Sequence, residues 1–372
     1  MTRPLRILTW HVHGNYLWYL SHVPHEIVLP VRPGRPHGYG GRAGAFPWPD
    51  TVREVPVDRL ADEPVDAVVY QAHDHWLVDR HEVLSPAQRA VPQIVVEHDP
   101  PRESPTDTRH PVDDPDALVV HVTAFNDLMW DCGRTPTAVI EHGVVVPDDA
   151  RYTGELGRGI TVVNGLAQRG RRLGLDVFLR ARDRVPLDLV GMRSEELGGL
   201  GEVPPPDLAH ALAPYRFYFH PVRYTSLGLS LCEAMTVGLP VVGLATTELP
   251  TIIEDGVNGF ASTDPDRLIG AMQALLADPG LARRIGAAGR VTATTRFSIH
   301  RFVRDWDRLL RAACGRTGMI RPGAPTGNDA STGDARTGAD ARTGADARTD
   351  DSRTGDDSRT GDEAVLAPPG SG

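Results

Sequence analysis

Lysine is missing from all 372 residues, so every one of the 39 basic side chains is an arginine. An anion clamp in this chain must therefore be built from guanidinium forks, which suit phosphate oxygens. Biased codon usage accounts for the same absence without any function. Cysteine is scarce. Cys132, Cys232 and Cys314 are far apart and odd in number, which excludes a disulfide framework and any familiar metal spacing. Long apolar runs are lacking too. The opening "MTRPLRILTW" does not fit a secretion signal, and no stretch reaches membrane-spanning length, so a soluble cytoplasmic protein is expected. The net charge of −10 argues against nucleic acid as the main partner, because phosphate binding needs a concentrated basic surface.

What is present is a hydrophobic share of 40 % in a chain too long for one ordinary core. Six apolar runs punctuate the first half: Leu5–Trp10, His25–Val31, Val65–Tyr70, Pro92–His98, Ala117–Thr123 and Thr137–Val144. They are rich in Val and Ile and nearly continuous, as parallel strands covered on both faces require. A second series follows at Gly159–Gly165, Pro186–Gly191, Arg216–Pro221 and Pro240–Leu244, with helical patterns between. The expected fold is therefore α/β, with two doubly wound parallel sheets and a ligand in the crevice where strand C-termini face each other. The expected boundaries are 1–150, 151–298, a helix over 299–315, and a low-complexity tail over 316–372. In the tail an Arg-Thr-Gly-Asp unit recurs with almost no apolar residues, which predicts disorder.

The most informative run is "TSLGLSLCEAM", Thr225 to Met235. Gly228 is expected to allow a tight turn, and Thr225 or Ser226 to cap a helix whose first amides attract anions. Glu233 is expected about two turns in, beside Cys232 and Met235. A carboxylate there is costly unless it accepts hydrogen bonds. The vicinal diol of a ribose would supply two, and a neighbouring loop could do the same.

Tyr224 to Met235, "GLPVVG" and Ile252–Phe260 resemble the donor-binding half of retaining nucleotide-sugar glycosyltransferases of the family 4 type, whose fold is GT-B. The resemblance implies that Glu233 holds the nucleotide ribose, with Thr225, Ser226, Gly228 and Leu229 as further donor-binding residues. The family's first Glu, eight positions before the second, is Thr225 here. Its Gly-Gly-x-x-Glu loop is met by Thr247–Thr251, where Glu248 is a candidate for the displaced carboxylate. Arg169 and Arg172, ahead of Arg171, stand where the family grips the diphosphate; a solvated basic turn would read the same. Gly191 would let the base lie against the backbone. In the first half, Gly14 and His73 are candidates for the cleft, and His98 ends a strand where the family points a His at the donor sugar. His142 is expected to be structural, and Phe302 and Trp306 to pack a last helix that crosses back.

The implied activity is a metal-independent, retaining transfer of sugar from a nucleoside diphosphate sugar to an acceptor: a glycan, a lipid or a small molecule. No cofactor is assigned, and peripheral membrane association stays open. Two other readings stand beside it: a sugar-nucleotide-binding paralogue that has lost turnover, and a sugar-nucleotide epimerase on the same fold.

Overall fold

The structure is a computed structural model that describes residues 3–44 and 46–317. The repeat tail expected from 316 lies outside the described residues, apart from 316 and 317, which close the last helix.

Two parallel sheets form among the described residues. The first takes β1 (Arg6–Thr9), β2 (Glu26–Val31), β3 (Val52–Pro56), β4 (Ala67–Tyr70), β5 (Gln93–Glu97), β6 (Ala117–His121) and β7 (Thr137–Val139) in the order β3-β2-β1-β4-β5-β6-β7. The order reverses between β1 and β4, the point at which doubly wound sheets open a crevice. The second takes β8 (Leu156–Val162), β9 (Leu187–Val190), β10 (Tyr215–His220), β11 (Val241–Leu244) and β12 (Phe260–Ser262) in the order β12-β11-β10-β8-β9. The central strands β4, β5, β10 and β11 are buried throughout, because helices cover both faces.

Three features depart from the sequence reading. β3 was not expected: "VREVP" is an edge strand whose Arg53 is paired with Glu26 and Glu63, so charge masks its two apolar positions. β12 is likewise a three-residue edge strand. The helical pattern from Asp266 to Phe297 is two helices, Pro265–Ala277 and Pro279–Arg296. Pro279 has no amide to continue the first, and Asp278 accepts from the amides of Gly280 and Leu281 to start the second.

The helix Ile299–Thr317 returns to the first lobe. Phe302, Trp306 and Leu310 are buried, and Asp307 meets His25 at 3.1 Å. Arg301 donates to the carbonyls of Glu141 and His142 in the linker between the sheets. No helix among the described residues is long and apolar enough to cross a membrane.

Candidate active site

The strand C-termini of both sheets deliver loops to one seam, which is closed by hydrogen bonds between the lobes. Tyr224 donates to the Pro101 carbonyl at 2.8 Å, and Thr225 Oγ1 to Asp99 Oδ1 at 3.2 Å. Asn126 Nδ2 donates to Ser226 Oγ at 3.3 Å, and the Phe125 amide to Glu248 Oε2 at 2.9 Å. His142 Nε2 lies 3.0 Å from the Leu227 carbonyl, consistent with a structural role.

The helix Leu229–Val237 carries Glu233 one turn in, not two. Its N-cap is Gly228, with no side-chain cap, because Thr225 and Ser226 are engaged by the opposite lobe instead. Gly228 is not there for a tight turn. Its φ of −73° suits any residue, and a Cβ would meet nothing closer than 3.7 Å. Leu229 opens the helix half-buried.

Glu233 is buried, 3 % exposed. Its Oε1 accepts from the Tyr19 hydroxyl at 2.5 Å, across the lobes, while Oε2 has no partner among the described residues. Burial pushes the carboxyl up to about 7, and the phenol offsets part of that. A buried carboxylate with one oxygen unsatisfied lacks a donor that a ligand can supply. Tyr19 was not foreseen; its helix, Gly14–Leu20, reads as ordinary packing.

Glu248 is the opposite case. It takes Phe125 N–H on one oxygen, and Thr251 Oγ1 at 2.7 Å and Arg296 at 3.0 Å on the other. These partners make it a tie between the lobes rather than a carboxylate kept for a sugar.

Arg169 and Arg172 have no hydrogen-bond or ion-pair partner for their guanidinium groups among the described residues, whereas Arg171 is paired with Asp176. Burial, then the neighbouring Arg102 and Arg169, lowers the Arg172 pKa from its usual value. The turn that bears it is locked to the helix loop: the Arg172 carbonyl accepts from the amides of Arg223 and Tyr224. Gly174 follows at φ 83°, where a Cβ would sit 1.9 Å from the Pro221 carbonyl oxygen. Gly191, after β9, has φ 134° and passes Val163 so closely that a Cβ would meet its carbonyl at 2.6 Å. Both glycines are required by the backbone.

On the first lobe, Gly14 starts its helix against the Phe46 ring, which a Cβ at this position would meet at 3.0 Å, so its place is one of packing. His98 Nε2 lies 2.9 Å from Gln71 Oε1, and its ring stands 4.2 Å from His13 and 4.6 Å from Tyr16. Burial, then the charge of His13, holds it well below the usual histidine pKa, so it is a neutral hydrogen-bonding group.

His73 belongs to a cluster the sequence did not announce. Its Nε2 is 2.6 Å from Glu97 Oε2, and His110 Nε2 is 3.1 Å from the same oxygen. Glu97 Oε1 accepts from the Asp99 amide. The three ligating atoms lie within 4.8 Å of one another, a spacing that could suit a cation. The backbone disfavours one. The Val112 amide donates to His110 Nδ1 at 3.1 Å, so Nδ1 holds a lone pair and Nε2 holds the hydrogen. A metal on Nε2 would reverse this and set two N–H groups face to face. Burial would raise Glu97, but the hydrogen bonds from His110 and His73 win and hold it well below the usual carboxylate range. Burial would lower His73, but Glu97 raises it above the usual value.

Comparison with known proteins places the second lobe. Residues 172–278 match the family model of Glycosyl transferases group 1. This segment holds Arg172, Gly191, Thr225, Glu233 and Glu248; Arg169 and the first-lobe candidates lie outside it. A 65-residue stretch is 38 % identical to the Escherichia coli O-antigen chain mannosyltransferase B, over 18 % of this chain and 17 % of that protein. The match thus spans about a sixth of its curated relative. Among solved structures, a sucrose-phosphate synthase from Thermosynechococcus elongatus aligns with TM-score 0.64 at 17 % identity, over 84 % of this chain and 100 % of that one. Anabaena HepE in complex with UDP aligns with TM-score 0.60 at 15 % identity, over 83 % and 100 %. The group 1 segment therefore sits in a chain whose two lobes share the GT-B architecture of these neighbours.

Proposed function

We propose that the protein is a glycosyltransferase that moves a sugar from a nucleoside diphosphate sugar to an acceptor hydroxyl, with retention and without a metal. The observation that carries this reading is Glu233: a buried carboxylate with one oxygen unsatisfied, inside the matched segment, at the seam between the lobes. A ribose diol offers the donors it lacks. Accepting it requires the Tyr19 phenol to yield, so the arrangement described is the closed seam without donor. In this reading Arg169 and Arg172 neutralise the diphosphate as its bond to the sugar breaks, and neutral His98 orients the sugar. HepE, which shares the fold, has been crystallised with UDP-glucose, which supports a donor of this class.

A second reading has a specific observation behind it. Thr225 lacks the carboxylate of the family pattern and is bonded to Asp99, so the chain would bind a sugar nucleotide without turning it over. One experiment separates the two: a panel of sugar nucleotides assayed for binding by thermal shift and for release of nucleoside diphosphate. Release that Glu233→Gln and Arg172→Ala both diminish supports transfer. Binding without release supports the second reading, and no binding by any member of the panel sinks both.

A further inference from the structure

None of the donor contacts proposed above uses the His73–Glu97–His110 cluster, yet it is built as a proton-handling device. It lies at the C-terminal ends of β4 and β5, on the crevice side of the first sheet. Asp99, whose amide Glu97 holds, is the same residue whose carboxylate meets Thr225 of the donor lobe. The Trp130 indole donates to the Asp99 carbonyl and walls the cluster, its ring 5.9 Å from His73 and 5.0 Å from His110.

The hydrogens can be placed. His73 Nε2 faces an ionised carboxylate at 2.6 Å and carries a hydrogen, so the neutral ring keeps its lone pair on Nδ1. Nδ1 makes no hydrogen bond among the described residues, and the side chain is 36 % exposed. Behind it, Glu97 is 5 % exposed and is itself held by His110 and the Asp99 amide. A solvent-facing imidazole backed by a fixed, buried carboxylate is the arrangement that orients a histidine base and stabilises its imidazolium.

We propose that His73, oriented by Glu97 and His110, is the general base that takes the proton from the acceptor hydroxyl. The inference rests on the glycosyl-transfer reading above. As the acceptor oxygen bonds to the anomeric carbon, its proton passes to His73 Nδ1. The bond from that carbon to the diphosphate oxygen breaks, and its electron pair leaves with the nucleoside diphosphate. Retention, as read above, requires the acceptor oxygen to attack from the face that the diphosphate leaves, so His73 takes the proton on that face.

The test uses the full chain, the sugar nucleotide that the panel selects, and a series of simple alcohols as acceptors: ethanol, 2-chloroethanol and 2,2,2-trifluoroethanol. His73→Gln keeps an N–H toward Glu97 but has no base. It should lower transfer to ethanol about 100-fold and transfer to the more acidic trifluoroethanol less than about 10-fold, with donor affinity unchanged. The groups that set the His73 pKa are Glu97 and Asp74, which raise it, and Arg102, which lowers it, with His110 alongside. Activity should therefore fall as pH drops through a histidine pKa above 6.5. Glu97→Gln should move that limb to lower pH. Equal loss across the alcohols, no loss, or an unmoved limb overturns the base. Should Glu97→Gln unfold, the alcohol series with the half-exposed His73→Gln decides alone. A parent chain that releases nucleoside diphosphate from no sugar nucleotide overturns glycosyl transfer itself, and the base with it.

Discussion

Replacing Glu233 with Gln should stabilise this protein at neutral and alkaline pH while weakening its hold on a donor. The carboxyl titrates at about 7 in the fold against an ordinary 4.5. At about 1.4 kcal/mol for each tenfold change in proton affinity, the ionised form is penalised by about 3 kcal/mol. The sign follows from proton counting. Between pH 4.5 and 7 the unfolded chain has lost this proton and the folded chain keeps it, so folding takes up a proton and stability falls as pH rises. Below 4.5 both states are neutral and the penalty vanishes; above 7 it is constant. Gln keeps the amide oxygen that accepts from Tyr19 and removes the titration. Urea unfolding of parent and variant across about pH 4.5 to 8.5 should give curves that meet at the acid end and part by about 3 kcal/mol at the alkaline end, with the variant more stable. Other titrating groups are common to both chains and cancel in the difference. Parallel curves would refute the reasoning, since they would mean that Glu233 is already solvated or fully hydrogen-bonded. The same variant should bind donor less well, because an amide offers a diol one acceptor atom in place of two. A gain in stability that accompanies a loss of binding marks a residue held in strain for a ligand.

The remaining predictions concern the neighbours of that carboxylate. Arg172→Ala should lower kcat about 100-fold with a smaller change in KM, whereas Arg171→Ala, whose guanidinium is committed to Asp176, should change kcat less than about 3-fold; steady-state kinetics on the chosen donor reads both. Thr225→Glu restores the family's first carboxylate but sets it against Asp99, 3.2 Å from the present hydroxyl, so it should destabilise the closed seam by about 1 kcal/mol, and Asp99→Asn should restore it in a urea titration. Tyr19→Phe removes only the hydroxyl that donates to Glu233 Oε1, and should tighten donor binding about 5-fold by calorimetry if hydroxyl and ribose compete for it.

The two parallel sheets were legible because buried parallel strands leave near-continuous Val and Ile runs, and β5 and β10 are buried at every position. The edge strands were not. β3 holds only Val52 and Val55 inward, between charged residues that satisfy one another. The order of the arginines was legible in part: a basic turn was visible, and the structure distinguishes Arg171, paired with Asp176, from Arg169 and Arg172, which are not. His73 was visible at a strand end, but its partners were not. Glu97 stood beside His98 in "VVEHD" and drew no notice, and His110 lies in an irregular loop where no periodicity marks it. The roles foreseen for Ser226 and Thr225 as helix caps failed for a related reason. A short hydroxyl at a helix start is locally a cap, and only the opposite lobe, about 100 residues away, could claim it instead.

The same limit explains the two carboxylates of the second lobe. Read along the chain, Glu233 and Glu248 pose one problem, a charge among apolar neighbours that must find donors. The chain does not say whether the donors are protein or ligand, because they come from across the seam: Tyr19 for one, the Phe125 amide for the other. Counting lone pairs decides. Glu248 receives three donors spread over both oxygens, so a ligand would have to displace protein to reach it. Glu233 receives one, on one oxygen, and pays for the other with a carboxyl pKa near neutrality. Of two acids that look alike in sequence, only the unfinished one has an oxygen left for the ligand proposed above.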